Sequence, residues 1–145
     1  MRRYVLDTSA LLTLFGDESG AERVAKILGE PVGGMVHEVD DPPRDEVYLP
    51  FMALMEFDYI VQRRFGLYEA DRARHVLRAW PAELVESYPQ WGRRAALVKS
   101  KAGLSLADAW NAALALLLDA ELVHKDPEFD EVEGLRSLRL PAQSR

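Results

Sequence analysis

Four acidic residues stand where apolar segments begin or end. They are Asp7 after Tyr4-Val5-Leu6, Glu56 inside Phe51–Phe57, Asp108 at the head of Asp108-Ala109-Trp110-Asn111-Ala112-Ala113-Leu114, and Asp126 after Leu122-Val123-His124-Lys125. In an open parallel sheet, ligands collect outside the carboxyl ends of the strands, where the following helices start. Carboxylates delivered there from four remote stretches would repel one another, and they stay ionised together only beside a cation. The pattern points to a hard divalent cation with oxygen ligands, and through it to phosphate chemistry. Cysteine is absent, and His37, His75 and His124 lack metal-ligand spacing, so a zinc site is not expected.

Three of the acids also have a plain structural use. Asp7 could cap a helix, and Asp126, ahead of Pro127, could serve a turn. Ser105-Leu106-Ala107-Asp108 matches a capping box, with an acid that also suits the helix dipole. Glu56 is harder to explain in this way. Met52, Glu56 and Ile60 share one helical face, with Met55 and Tyr59 beside them, so a carboxylate falls on an apolar stripe. A buried carboxylate needs a partner, either a cation or an arginine. Asn111, one turn beyond Asp108, can bind a ligand or hold a carboxylate in place. Asp130, four residues beyond Asp126, can join the acidic group or stay solvated.

The elements that must position these residues alternate along the chain. Met1–Leu6 reads as a buried strand, with Thr8 or Ser9 able to cap a helix that begins near Ala10. Ser19 and Glu22 form a second capping-box pattern ahead of Ala21, Val24, Ala25 and Leu28. Gly29–Glu46 is glycine-, proline- and acid-rich and reads as a loop, with a short edge strand at Met35–Val39. Val47–Leu49 is the next strand, and Pro50 suits the first turn of a helix that Gly66 stops after Phe65. Helices are expected over Glu69–Ala79, Tyr88–Lys101 and Leu106–Glu121. Short strands are expected at Leu84–Val85, Leu122–His124 and Leu135–Leu140. The alternation implies an α/β domain with a mainly parallel sheet of four to five strands. We expect one domain over residues 1–145, because no linker or repeat interrupts it.

Composition narrows the class further. The longest apolar runs fall well short of a membrane span, and Asp7 interrupts the only stretch resembling a signal-peptide core. A cytoplasmic, soluble protein is expected. The net charge of −6 hides an asymmetry, since Val61–Lys101 carries nine Arg and Lys residues against four Asp and Glu. A local basic surface is enough to hold phosphates, and Arg63, Arg64, Arg93 and Arg94 are the candidates for contacting nucleic acid.

Taken together, Tyr-Val-Leu-Asp-Thr-Ser-Ala-Leu-Leu, Met-Glu-Phe, Leu-Ser-Leu-Ala-Asp-Ala-Trp-Asn-Ala-Ala-Leu-Ala and Leu-Val-His-Lys-Asp-Pro-Glu-Phe resemble the PIN-domain ribonucleases. Within that family they are most similar to the VapC-type toxins of toxin–antitoxin pairs. The resemblance spans nearly the whole chain, with the motifs in the family's order. It implies a three-layer α/β/α fold and hydrolysis of RNA phosphodiester bonds with Mg2+ or Mn2+. Asp7, Glu56, Asp108 and Asp126 would form the catalytic cluster, with Asp7, Asp108 and Asp126 on the metal. Ser9, Thr8, Asn111 and Asp130 would support it. The resemblance also implies a homodimer and a small antitoxin partner, with apolar helix surfaces around Leu11–Phe15 and Phe57–Ile60 as docking candidates. Other readings are a PIN nuclease that processes RNA without being a toxin, and a catalytically silent PIN-like binding module. The Gly29–Glu46 loop is longer than the family's compact version. Pro50-Phe51-Met52 also replaces the small polar residues often found before the glutamate.

Overall fold

A computed structural model describes residues 1–29 and 45–142. The strand expected at Met35–Val39, and all but the ends of the surrounding loop, lie outside the described residues. Among the described residues, five strands form one sheet: β1 (Arg3–Leu6), β2 (Glu46–Pro50), β3 (Glu83–Val85), β4 (Glu121–His124) and β5 (Arg136–Arg139). Their order is β3-β2-β1-β4-β5, and every pairing is parallel. Six helices among the described residues accompany them: α1 (Thr8–Phe15), α2 (Ala21–Leu28), α3 (Phe51–Phe65), α4 (Leu67–Ala79), α5 (Pro89–Lys101) and α6 (Leu106–Leu118). A 3-10 turn covers Pro127–Glu131.

Alternation along the central strands divides the core between the two faces of the sheet. Tyr4, Leu6, Val47, Leu49 and Val123 pack with residues of α1–α4 on one side. Val5 and Leu122 pack with α5 and α6 on the other. Both faces are covered, so β1 and β4 read as continuous apolar runs. The result is the expected α/β/α arrangement. Trp91 is the largest fully buried side chain of the second layer, and its indole N–H donates to the Trp110 carbonyl at 2.8 Å. Phe51 and Trp110 meet Trp91 edge-on, with ring centroids 5.3 and 5.0 Å away. This aromatic joint locks the start of α3 against α5 and α6. Gly92 leaves room for this packing, because a Cβ would lie 3.2 Å from the Trp110 ring and push it by a few tenths of an ångström.

Several local expectations change. The Ser19–Glu22 capping box does not form; Gly20 precedes α2 in a left-handed conformation, and no side chain caps the helix. Neither Thr8 nor Ser9 caps α1, because both belong to the helix and Asp7 is the cap. Pro50 ends β2 and precedes α3 with extended backbone, rather than joining its first turn. α6 stops at Leu118, where Asp119 takes the left-handed conformation, and β4 starts at Glu121. The stripe expected on α3 is also rotated. Ala53, Phe57 and Val61 face the core, while Met55 and Tyr59 are 57% and 41% exposed. Glu56 is therefore half-buried at the edge of the core rather than on its axis. Leu11 and Phe57 are core residues, which removes them from any docking surface.

Candidate active site

The strand order reverses at β1, which pairs with β2 on one side and β4 on the other. At this switch point the two central strands end next to each other, leaving a crevice at their carboxyl ends. Asp7 follows β1 directly, and its backbone N–H donates to the Val123 carbonyl of β4 at 3.1 Å. The Asp7 side chain is 3% exposed. Its Oδ2 accepts from the Ser9 backbone N–H at 3.1 Å and from the Ser9 hydroxyl at 2.5 Å. Its Oδ1 accepts from the Asn111 side-chain amide at 2.8 Å. Ser9 Oγ in turn accepts from the Lys125 backbone N–H at 3.1 Å, which ties the loop after β4 to the start of α1. Asp7 is both a helix cap and a carboxylate held on both oxygens, one by neighbouring Ser9 and the other by remote Asn111 of α6.

Asp108 lies in the first turn of α6. Ser105 accepts from its backbone N–H at 3.2 Å, so the capping-box half of the motif is real. The side chain is only partly buried, yet its carboxyl is pushed up to about 7. Burial is the main cause, followed by the negative charge of Asp7 and, more weakly, of Glu56 and Asp126; the Ser105 hydrogen bond opposes the rise. Asp7, Glu56 and Asp126 are therefore each within electrostatic reach of Asp108. Among the described residues, no Lys or Arg forms an ion pair with any of them. Lys125, next to Asp126 in sequence, turns toward Glu18 instead, with Nζ 3.5 Å from its carboxylate.

Asp126 opens the 3-10 turn, and its carboxylate accepts from the Glu128 backbone N–H at 2.9 Å. That turn brings Glu128 beside it. Carboxylate oxygens of Asp108, Asp126 and Glu128 all lie within 4.8 Å of one another, close enough to share one ion. Asp7 and Glu56 stand outside this closest trio. Glu128 was not singled out in the sequence, although the Asp126-Pro127-Glu128 spacing was visible. Asp130 points elsewhere: it is exposed and lies 3.9 Å from Arg139.

The residues fit a hard divalent cation. The donor set is entirely carboxylate oxygen, the preference of Mg2+ and Mn2+. Burial and then the charge of Asp7 raise the Asp108 carboxyl, and a bound cation would offset both by favouring the ionised form. Asn111 Oδ1 is buried without a hydrogen-bond partner. Thr8 Oγ1 and His124 Nε2 are the other buried side-chain atoms without partners among the described residues. His124 is fully buried at the end of β4, and burial pushes its imidazole below the ordinary value despite the nearby Asp7 charge.

The basic candidates divide by location. Arg63 and Arg64 are exposed on the last turn of α3, about 10 Å along the helix axis from Glu56. Arg63 lies over the Tyr59 ring at 5.3 Å. Arg93 and Arg94 are exposed on α5, and Arg94 lines a cleft of about 400 Å³ with Lys101, Glu131 and Glu133. Arg72 and Arg74 are engaged by Glu69, Asp71 and Asp58.

A family model described as the PIN domain matches residues 4–135. Comparison with solved structures finds VapBC2 from Rickettsia felis bound to a promoter DNA fragment, at TM-score 0.73 and 12% identity, covering 96% of this chain and 99% of the other. VapC20 of Mycobacterium tuberculosis, described as a sarcin-ricin loop cleaving toxin, superposes at TM-score 0.69 and 16% identity, covering 94% and 98%. VapBC-1 from nontypeable Haemophilus influenzae gives TM-score 0.65 and 22% identity, covering 94% and 97%. At these identities the likeness speaks for the fold. A search of curated protein sequences returns no match.

Proposed function

The chain belongs to the PIN-domain family, and on that premise we propose that it is a metal-dependent endoribonuclease, the toxin of a toxin–antitoxin pair. The observation that carries this reading is the carboxylate group at the switch point: Asp108, Asp126 and Glu128 offer oxygens within 4.8 Å of one another, and burial, followed by the charge of Asp7, pushes the Asp108 carboxyl up to about 7. In this proposal Asp7, Asp108 and Asp126 hold Mg2+ or Mn2+, with Glu128 beside them. When bound, the cation polarises the phosphate, lowers the pKa of a bound water and offsets the charge that develops on the phosphoryl oxygens.

The protein's own groups have distinct tasks. Asn111 and Ser9 fix the Asp7 carboxylate so that it faces the crevice with little freedom to rotate. Glu56, half-buried and unpaired among the described residues, orients the attacking water and accepts its proton. Attack in line with the P–O3′ bond leaves a 5′-phosphate and a 3′-hydroxyl. Arg93 and Arg94, with Arg63 and Arg64, hold flanking phosphates.

We further propose a homodimer and a small antitoxin as the protein's partners. The VapBC complexes among the structural neighbours support the second. No helix among the described residues is long and apolar enough to cross a membrane. The deciding experiment incubates defined RNAs with the protein, with and without Mg2+ or Mn2+, and compares wild type with Asp7→Asn. Metal-dependent cleavage by the wild type alone supports the reading; equal activity of the two proteins defeats it.

A further inference from the structure

We propose that His124 is a positioning residue for the acidic site: its Nδ1 accepts the backbone N–H of Asp126 and thereby sets where the Asp126 and Glu128 carboxylates stand. This rests on the reading of Asp126 as a metal ligand. The observation is a relay of two successive bonds after β4. His124 Nδ1 accepts from the Asp126 N–H at 3.0 Å, and Asp126 Oδ1 accepts from the Glu128 N–H at 2.9 Å. Each side chain organises the backbone two residues ahead, so the imidazole begins the turn on which both acids sit.

The histidine itself is held tightly. It is 0% exposed, its ring packs on Phe129 at 4.6 Å, and its carbonyl accepts from the Leu140 N–H at 2.7 Å. With Nδ1 accepting, a neutral imidazole must carry its proton on Nε2. That N–H is buried and has no partner among the described residues. A buried donor without a partner opposes folding. An apolar residue of similar size would remove that penalty and could pack on Phe129, but it could not accept the Asp126 N–H. The imidazole therefore supplies something other than stability at this position. It supplies the acceptor that holds the turn.

Two amide variants separate acceptor position from polarity and bulk. In His124→Asn the side-chain oxygen can take the place of Nδ1, whereas in His124→Gln the polar group falls near Nε2. The measurements are Mn2+ affinity by electron paramagnetic resonance, thermal unfolding without metal, and the imidazole 15N shifts of the wild-type protein. We expect an Nε2-protonated tautomer for His124, Mn2+ affinity within about twofold of wild type for His124→Asn, and roughly tenfold weaker binding for His124→Gln. Both variants should unfold at similar temperatures, so that the affinity difference does not track stability. An Nδ1-protonated wild-type ring overturns the proposal even if neither variant folds. So do equal Mn2+ affinities for the two amides. A wild-type protein that binds no Mn2+ refutes the metal reading instead, and the tautomer then decides the His124 bond alone.

Discussion

Asp108 makes a quantitative test possible. Its carboxyl lies at about 7 in the folded protein against an ordinary value of 3.8, chiefly through burial and then through Asp7. Between these values the folded state holds a proton that the unfolded chain has lost. The contribution of this group to stability is therefore largest below pH 4 and disappears as pH rises through 7. A shift of this size would correspond to about 4 kcal/mol for a fully buried group. Solvent screening of a partly exposed carboxyl reduces it to about 1–2 kcal/mol. In a chain of this length that is a fall in Tm of roughly 3–6 °C. Calorimetric scans of metal-free wild type and Asp108→Asn from pH 4 to pH 8.5 isolate the term, because other titrations are shared by both proteins. The wild type should lose that much relative to the variant as pH rises. Mn2+ should restore it, with more stabilisation at pH 8 than at pH 5, because the cation must displace the proton. Parallel pH profiles for the two proteins, or equal stabilisation by metal at both pH values, would refute the electrostatic account of the site.

Other substitutions probe separate parts of the structure. Asp7→Asn should abolish RNA cleavage while leaving far-ultraviolet circular dichroism unchanged, since an asparagine can still cap α1. Ser105→Ala should lower stability by about 1 kcal/mol through loss of the α6 cap, measured by urea denaturation. Arg93→Ala with Arg94→Ala should weaken RNA binding and reduce the slope of log affinity against log salt by about 1–2, with cleavage still dependent on metal. Glu128→Gln should weaken Mn2+ binding while leaving metal-free stability within about 0.5 kcal/mol, as expected for an exposed side chain.

The layers and the acids were legible because they rest on local signals. β1 and β4 are apolar runs closed by acids, and α6 begins at Ser105 with its cap in place. Their convergence followed from the rule that parallel strands end on one side. Features set by tertiary packing were not legible. On α3, two apolar stripes compete, and only the sheet decides that Ala53, Phe57 and Val61 turn inward rather than Met55 and Tyr59. The Ser19 motif had the right spacing, but Gly20 takes the left-handed conformation and no side chain caps the helix. The placement of Glu128 beside Asp126, and the bond His124 makes, were not legible because both depend on a turn whose hydrogen bonds link residues two apart. Asp130, four residues after Asp126, was open to either joining the acidic group or staying solvated, and the structure leaves it exposed, 3.9 Å from Arg139.

The claim on which the rest depends is that side chains from both ends of the chain share one cation. Titration of Mn2+ into wild type and Asp108→Asn, followed by electron paramagnetic resonance, addresses it without any RNA. The wild type should show a saturable site at pH 8, and the variant should bind at least roughly tenfold more weakly. Identical titration curves, or no saturable binding by the wild type, would contradict it.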